Sequence, residues 1–214
     1  MMEDGVAEPH KSRIRRENLK RILKAAEQVF ADRGYAGATM AEMAQRAKLP
    51  KANLHYYFGT KEELYRAVLD AILAEWIDTM AGFVPEADPK TAVSAYIRAK
   101  MEFSRVRPHA SRVFANEIIH GAPILAEFLG DTVRRGVEEK SAVIQGWADS
   151  GKVAPLDGRH LFFMIWSLTQ HYADFEVQVR AVLGKHKLSR DDWDHATQQV
   201  ETVVLRALGL AEGR

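Results

Sequence analysis

The segment Thr39–Phe58, TMAEMAQRAKLPKANLHYYF, predicts two short helices joined by a tight turn. Thr39 is a good N-cap, and apolar residues follow it at helical spacing: Met40, Met43, Ala44 and Ala47. Pro50 ends this first helix because its nitrogen carries no hydrogen to donate, and proline is well suited to begin the next helix. The turn between the two helices is therefore expected just before Lys51.

The second helix of the pair has one apolar face, on which Leu54 and Phe58 are expected to be buried. Its other face is basic, polar and aromatic, with these side chains pointing outward: Lys51, Asn53, His55 and Tyr56. A helix-turn-helix has this layout, and its second helix enters the major groove of DNA by its N-terminus. Two short helices joined by a turn are also common in all-α proteins of other functions, so the pattern alone leaves both interpretations open.

The distribution of charge favours DNA binding. Residues 1–66 carry 13 Lys/Arg against 9 Asp/Glu, a surplus of four positive charges, whereas the whole chain has a net charge of +1. Seven cations, with Glu17 as the single acid among them, precede the helix pair: Lys11, Arg13, Arg15, Arg16, Lys20, Arg21 and Lys24. Such a segment suits the neutralisation of phosphates, so double-stranded DNA is the expected partner.

The composition excludes several classes of protein. The 214 residues include no cysteine, which excludes disulfides and thiolate metal sites and fits a reducing compartment. The N-terminal stretch MMEDGVAEPHKSRIRR has acids and a proline where a signal peptide needs an apolar run. No segment is apolar for long enough to cross a bilayer. We therefore expect a soluble, cytoplasmic protein with no membrane partner.

The pattern is helical throughout. No stretch sustains period-two alternation, so the expected fold class is all-α, with about nine helices. Caps mark several helix starts: Thr60 with Glu63, Asp88, Asp157 and Ser189. We expect three regions, namely a disordered arm over residues 1–12, a helix-turn-helix domain over residues 13–66, and a larger ligand-binding and dimerisation domain over residues 67–214.

One helix points to self-association. The helix that Asp157 caps is expected to run to about Leu183, and its sequence LFFMIWSLTQHYADF is apolar nearly all round. One face can pack within the domain, and the other is expected to pack against a second subunit together with the final helix. A two-fold homodimer is the default assembly and suits a palindromic DNA site.

The chain resembles the TetR family of transcriptional regulators. The family pattern is F-x-x-x-G-[FY], then T, then I-A-x-x-A-G-V-S-K-x-x-L-Y-x-[HY]-F and x-S-K-E-x-L. Its counterparts here are, in order, Phe30…Gly34-Tyr35, Thr39, Met43-Ala44…Ala47-Lys48-Leu49-Pro50-Lys51…Leu54-His55-Tyr56-Tyr57-Phe58 and Gly59-Thr60-Lys61-Glu62-Glu63-Leu64. Pro50 stands where a serine cap is usual, and His55 replaces a tyrosine that commonly touches phosphate. The resemblance implies a dimeric regulator, acting as a repressor that a small ligand releases from DNA.

The residues of the helix pair suggest how DNA is contacted. Lys51 and Asn53 lie nearest the N-terminus of the second helix and are the candidates for base edges. The candidates for phosphate contact are Thr39, Tyr56 and Lys61, and His55 is suited to either role.

The second part of the chain resembles one branch of the family. Residues 150–179, SGKVAPLDGRHLFFMIWSLTQHYADFEVQV, are similar to the matching segment of uracil-responsive regulators of pyrimidine utilisation. The resemblance implies uracil or thymine as the effector and no cofactor. It also implies an effector site formed by Trp76, Trp166 and Gln170, with Tyr96 nearby.

The residues themselves support such a site without requiring it. Trp166 and Gln170 are four apart and share a helix face. A buried glutamine must find hydrogen bonds, because an unpaired amide costs about 1–3 kcal/mol. Its amide offers a donor beside an acceptor, which complements the NH–C=O edge of a pyrimidine dione. The other interpretation is an ordinary core, in which Gln170 bonds to a neighbouring backbone group or a buried water.

Alternative functions follow from other features. Glu117-Ile-Ile-His120 is an E-x-x-H motif like those of di-iron bundles, but such sites need a second copy and two further carboxylates, and the chain has no second copy. We therefore expect no metal site, no catalytic residue and no enzymatic activity. Two alternatives remain open: a TetR-like protein that responds to another small ring compound, or one that responds to a protein partner.

Overall fold

The computed structural model describes residues 10–210, and within that range every regular element is helical. The predicted all-α fold class is therefore confirmed. The disordered arm predicted for residues 1–12 falls mostly outside the described residues, and the first helix begins within its end, at His10.

Eleven α-helical segments and one π-helical turn follow one another along the described chain. They are α1 (His10–Gly37), α2 (Met40–Ala47), α3 (Lys51–Tyr57), α4 (Lys61–Asp78), α5 (Pro89–Val106), α6 (Pro108–Ile119), α7 (Ala126–Phe128), the π-helical turn Leu129–Val133, α8 (Arg134–Asp149), α9 (Gly158–Asp174), α10 (Glu176–Val182) and α11 (Arg190–Ala207). The segments from α7 to α8 are continuous, and one residue separates α9 from α10, so the total is close to the nine expected.

The chain divides into two compact units, and the boundary lies inside α4 between Ala71 and Ile72. The first unit holds α1 to α3 and the start of α4 around a core of fully buried residues: Ile22, Val29, Phe30, Met43, Leu54, Leu64 and Leu69. The second unit has its own core, built mainly on α5, α8, α9 and α11: Val93, Ile97, Met101, Ile144, Trp147, Phe162, Ile165, Val200 and Val204.

Short-range hydrogen bonds fix the helix starts as the sequence predicts. The Thr39 hydroxyl oxygen accepts the Glu42 backbone N–H at 3.2 Å, and Asp88 and Asp157 cap α5 and α9 in the same manner. Ser189 and Asp192 form a complete capping box at α11. In the capping box predicted at α4, the Thr60 hydroxyl oxygen accepts the Glu63 backbone N–H at 3.1 Å, as expected. The Glu63 carboxylate, however, accepts the backbone N–H of Gly59 at 2.8 Å instead of that of Thr60.

Two predictions about helix ends are wrong. Phe58 lies just after α3 in extended conformation (φ −139°, ψ 114°) and is only half-buried, so Leu54 alone anchors that helix in the core. The apolar helix that begins after Asp157 ends at Asp174 instead of near Leu183, because Phe175 is non-helical (φ −112°, ψ 29°). Asp174 is held at the break by a 2.6 Å hydrogen bond from the Ser111 hydroxyl of α6.

The turn between α2 and α3 contains a lysine in left-handed conformation. Lys48 has φ 54° and ψ 45°, and its N–H donates to Gln45 at 3.0 Å while the Leu49 N–H closes on Ala44 at 3.0 Å. A non-glycine residue is strained in this region of backbone space, where glycine costs nothing. Lys48 stands where the family pattern has glycine, so the chain carries this strain in its helix-turn-helix.

Replacing Lys48 by glycine should therefore stabilise the first unit. We expect the Lys48→Gly variant to gain about 1 kcal/mol in the free energy of unfolding, because the left-handed backbone no longer meets a Cβ atom. Urea titration followed by far-UV circular dichroism measures the change. Lys48→Ala is the matched control, since it removes the same charge and keeps the Cβ; equal stability of the two variants would contradict the prediction.

Candidate functional site

The outer face of α3 is open to solvent. Lys51, Asn53, His55 and Tyr56 are all exposed, and the Tyr56 ring is 78% exposed, which is unusual for a large aromatic side chain. The residues predicted to meet DNA on this helix thus share one accessible surface, as a reading helix requires. At the start of α2, Thr39 is also exposed, and its capping bond leaves the hydroxyl hydrogen available to donate.

Lys61 has a structural role that the sequence did not reveal. Its ammonium donates to the backbone oxygens of Tyr35 at 2.8 Å and Ala38 at 3.2 Å, and it lies 4.5 Å from the centroid of the Tyr35 ring. These bonds satisfy carbonyls at the end of α1 and fix the start of α4 beside them. A third, longer bond runs to the Ala36 backbone oxygen at 3.5 Å, so carbonyls already accept from all three donors of the ammonium. The predicted contact of Lys61 with phosphate stays a prediction.

Arg21 also differs from its expected role. Counted among the cations of the basic segment, it donates instead to the backbone oxygens of Ala47 at 2.7 Å and Lys48 at 3.1 Å. The guanidinium thereby ties α1 to the turn of the helix-turn-helix. This bond holds the turn that orients α3.

The second unit contains a polar seam, by which we mean five buried polar residues on α5, α6 and α9. Their side chains are at most 3% exposed: Lys100, Ser104, Ser111, Glu117 and Thr169. Hydrogen bonds pair part of the seam, for example from the Ser104 hydroxyl to the Thr169 backbone oxygen at 3.0 Å. Buried polar groups are costly unless paired, so an interior of this kind favours a binding site over a plain core.

Trp166 and Tyr96 meet at one end of this seam. The Trp166 indole N–H donates to the Tyr96 hydroxyl oxygen at 2.6 Å, across α9 and α5. Burial raises the pKa of Tyr96 far above its ordinary value of 10.0, against the opposing effect of the Trp166 hydrogen bond. The phenol is therefore neutral and retains its own hydrogen as a donor.

Trp76 of α4 contacts the next turn of α5. Its ring packs edge-on against Phe103 and Phe114, with centroids 5.4 and 4.6 Å apart, and the Lys100 ammonium lies 3.7 Å from its centroid. The Trp76 indole nitrogen is buried and has no hydrogen-bond partner among the described residues. Trp76 and Trp166 are thus linked through Lys100 and Tyr96, which are four residues apart on the buried face of α5.

Gln170 is half-buried on α9, one turn after Trp166. Among the described residues, none forms a hydrogen bond with its side-chain amide. The structure therefore places the four predicted effector residues in one unit and joins Trp166 to Tyr96 directly. It shows no hydrogen bond between Gln170 and either tryptophan.

Lys100 is the main residue that sequence reasoning missed. Burial lowers its pKa from 10.5 to about 7, while the charge of Asp174 acts in the opposite direction. Burial also raises the pKa of Asp174, which accepts the Ser111 hydroxyl. The sequence holds a partial signal, although only the packing shows that Lys100 is buried, because this lysine lies on a helical stripe that is otherwise apolar or small: Val93, Tyr96, Ile97, Met101 and Ser104.

The E-x-x-H motif has a structural explanation. The Glu117 carboxylate accepts the backbone N–H groups of Ile124 at 2.6 Å and Leu125 at 3.1 Å, so it closes the turn after α6. His120 Nδ1 lies 2.7 Å from the Asn116 backbone oxygen. Across residues 10–210 no cluster of three or more metal-ligating side chains forms, and no helix is long and apolar enough to span a membrane.

A surface groove of about 340 Å³ lies between α5 and α11 and shares no residue with the seam. Its charged side chains pair with one another, as in the bonds from Arg98 to Glu201 at 2.7 Å and from Arg105 to Glu102 at 2.8 Å. Because these charges are already satisfied by neighbours, the seam is the better candidate for an effector site.

Comparisons with known proteins cover both units. Residues 22–68 match the family described as bacterial regulatory proteins, tetR family, and residues 69–211 match the family described as YcdC-like protein, C-terminal region. The chain is 42% identical over 189 residues to the HTH-type transcriptional regulator RutR of Escherichia coli strain K12, and the match covers 88% of this chain and 89% of that protein.

Solved structures share the fold at low sequence identity. The TetR-family transcriptional regulator PfmR from Thermus thermophilus has a TM-score of 0.68 at 20% identity, covering 90% of this chain and 97% of that chain. AibR, solved in complex with isovaleryl coenzyme A and operator DNA, has a TM-score of 0.67 at 17% identity, covering 87% and 97%. At these identities the likeness concerns the fold alone.

The buried lysine should leave a signature in the pH dependence of stability. Below about pH 7 the folded protein must bury a charged Lys100, whereas above that pH the folded state is neutral at this residue and the unfolded state stays charged up to about 10.5. Burial disfavours the charge, so the penalty shrinks as the folded state loses its proton above about pH 7.

The penalty for burying Lys100 is thus full below about pH 7, declines between pH 7 and about 10.5, and is absent above that range. The free energy of unfolding therefore rises with pH across this window, because there the unfolded state binds a proton that the folded state has lost. We expect Lys100→Met to melt several degrees above the parent at pH 6, and the gap to narrow by pH 9.

Thermal melts of the parent and Lys100→Met at both pH values measure this difference. Lys187→Met, at an exposed lysine, is the control and should show a small gap that does not change with pH. A Lys100→Met gap that stays constant between pH 6 and pH 9 would show that Lys100 does not titrate in this window.

Proposed function

The chain belongs to the TetR family of bacterial transcriptional regulators, and we propose that it is a repressor released from its operator by a small pyrimidine such as uracil or thymine. The observation that carries the proposal is the aromatic and polar interior of the second unit, where Trp166 is bonded to Tyr96 and the Gln170 amide is unengaged by the described residues. The 42% identity with RutR over most of both chains supports it. The protein would act in the cytoplasm, on the bacterial DNA.

The effector would lie flat against an indole and be recognised by its polar edge. Gln170 offers one donor and one acceptor to the NH–C=O edge of the ring, and the Tyr96 hydroxyl retains a hydrogen for a carbonyl oxygen. Trp166, fixed by its bond to Tyr96, provides a stacking surface of defined orientation, and Trp76 provides a second.

DNA would be read by a homodimer. Exposed apolar side chains on α9 and α11 support self-association, since Phe163 is 48%, Met164 41% and Val203 58% exposed. A two-fold dimer presents two α3 helices to half-sites one DNA turn apart, roughly 34–36 Å. Within each half-site Lys51 and Asn53 would reach base edges, while Thr39, His55, Tyr56 and Lys61 would lie near phosphates.

The two functions would be coupled through α4. This helix begins at Lys61 in the first unit and continues past the boundary at Ala71 to Trp76 in the second. An effector that displaces Trp76 would change the separation of the two reading helices in the dimer. A coupling free energy of about 1–3 kcal/mol, typical of such systems, is enough to lower operator occupancy several-fold.

The effector proposal is tested by calorimetric titration of uracil and thymine into the purified protein. We expect saturable binding at one site per chain and a loss of about tenfold or more in affinity for Gln170→Ala, because the ring edge is left unpaired. Gln145→Ala, at an exposed glutamine of α8, is the matched control and should bind as the parent does. Absence of binding by both pyrimidines would redirect the search to other ring compounds or a protein partner.

The DNA proposal is tested on a palindromic site selected from a random library. We expect Asn53→Ala to relax the preference for one base pair in each half-site, by about 1–3 kcal/mol. Tyr56→Phe removes only a hydroxyl from an exposed ring and should weaken all sequences alike, by about 1 kcal/mol. Filter binding to the selected site and its single-base variants separates the two effects, and the reverse pattern would exchange the assigned roles.

A further inference from the structure

Lys100 and Trp76 are neighbours whose side-chain nitrogens form no hydrogen bond with the described residues. The Lys100 side chain is 3% exposed, and the described residues provide its ammonium with no hydrogen bond and no ion pair. Its one close partner among them is the face of Trp76, 3.7 Å from the ring centroid. The indole nitrogen of that same ring is a buried donor without an acceptor in the described part of the chain.

The described residues do not offset the free-energy cost of burying the Lys100 ammonium. Burying an ammonium is unfavourable, and a cation–π contact offsets only part of that cost. Asp174 of α9 is the acid that acts on Lys100, but its carboxylate is bonded to Ser111 and lies beyond ion-pair distance. Arg112 and His171 further offset the charge of Asp174.

Nearly all buried polar groups in native proteins are paired. A buried indole donor without an acceptor, beside an ammonium that contacts only a ring face, therefore indicates where a bound molecule supplies an acceptor. We propose that Lys100 Nζ and Trp76 Nε1 form a two-donor subsite that binds an acceptor oxygen of the effector. The inference rests on the proposed function, and it adds the chemistry that the ligand must present on this side of the site.

The subsite restricts the ligand class. Both groups are donors, so the ring must direct a carbonyl or anionic oxygen at them, and an exocyclic amino group at that position would oppose donor to donor. A pyrimidine dione satisfies the condition with one carbonyl while its NH–C=O edge remains for Gln170. Lys100 thus acts as a specificity residue, one helical turn from Tyr96.

Calorimetry on the full-length protein tests the subsite with four ring probes that carry an acceptor oxygen: uracil, thymine, 2-pyridone and benzoate. For each probe that the parent binds, Lys100→Met should weaken affinity at least tenfold while raising the melting temperature at pH 6. Trp76→Phe, which keeps an aromatic face for Lys100 and removes the N–H, should weaken binding by a smaller factor. Lys187→Met is the control for the loss of a lysine.

A second readout distinguishes direct contact from structural support. Titrations at pH 8 in buffers of different ionisation enthalpy should show uptake of part of a proton per bound ligand, because the acceptor favours the charged form of Lys100. Lys100→Met should show no uptake. Asp174 and Tyr96 remain in that variant, so loss of the uptake assigns it to the Lys100 side chain.

The outcomes separate the two proposals. Uracil binding by the parent that persists unchanged in Lys100→Met would overturn the subsite and leave the pyrimidine effector standing. Binding of 2-pyridone or benzoate alone, lost in Lys100→Met, would support the subsite and overturn the pyrimidine effector. Binding of none of the four probes by the parent would overturn both.

Discussion

Two contacts on consecutive turns of α5 organise the interior of the second unit. Tyr96 receives the indole N–H of Trp166, and Lys100 lies on the face of Trp76, so one helix positions both tryptophans. Around these contacts the aromatic rings of Phe103, Phe114 and Phe162 pack edge to face, with centroids between 4.6 and 5.8 Å from their partners. The polar groups fix the orientation of the rings, and the rings exclude water from the polar groups.

The first unit depends on a different device, in which long cationic side chains satisfy backbone carbonyls. Arg21 binds the end of α2 and its turn, and Lys61 binds the end of α1. Each joins segments more than twenty residues apart in the chain, so the short helix α3, which buries only Leu54, is held in place by its neighbours. Arg21 and Lys61, whose charges the sequence assigns to phosphate contact, therefore bind backbone carbonyls that position the helix-turn-helix.

The sequence predicts those features that depend on neighbouring residues. The caps at Thr39, Asp157 and Ser189 are short-range hydrogen bonds, and each forms as the residue types require. The break at Phe175 was missed because apolar residues continue across it, and the bond that accompanies it comes from Ser111, sixty-three residues earlier. The polar seam was missed for the same reason, since only the packing of three helices decides whether a lysine or a serine on an amphipathic stripe is buried. The aromatic members of the proposed effector site came from resemblance, and Lys100, to which no motif pointed, belongs to it only through the proposed subsite.

The placement of the tryptophans has a spectroscopic consequence. All four of them, Trp76, Trp147, Trp166 and Trp193, follow the boundary at Ala71, and the chain before it contains only tyrosine and phenylalanine as aromatic fluorophores. Intrinsic tryptophan emission therefore reports on the second unit without a contribution from the first. Tyr57→Trp would add a tryptophan to the first unit, which has none. The order in which the two units respond to ligand could then be resolved in time.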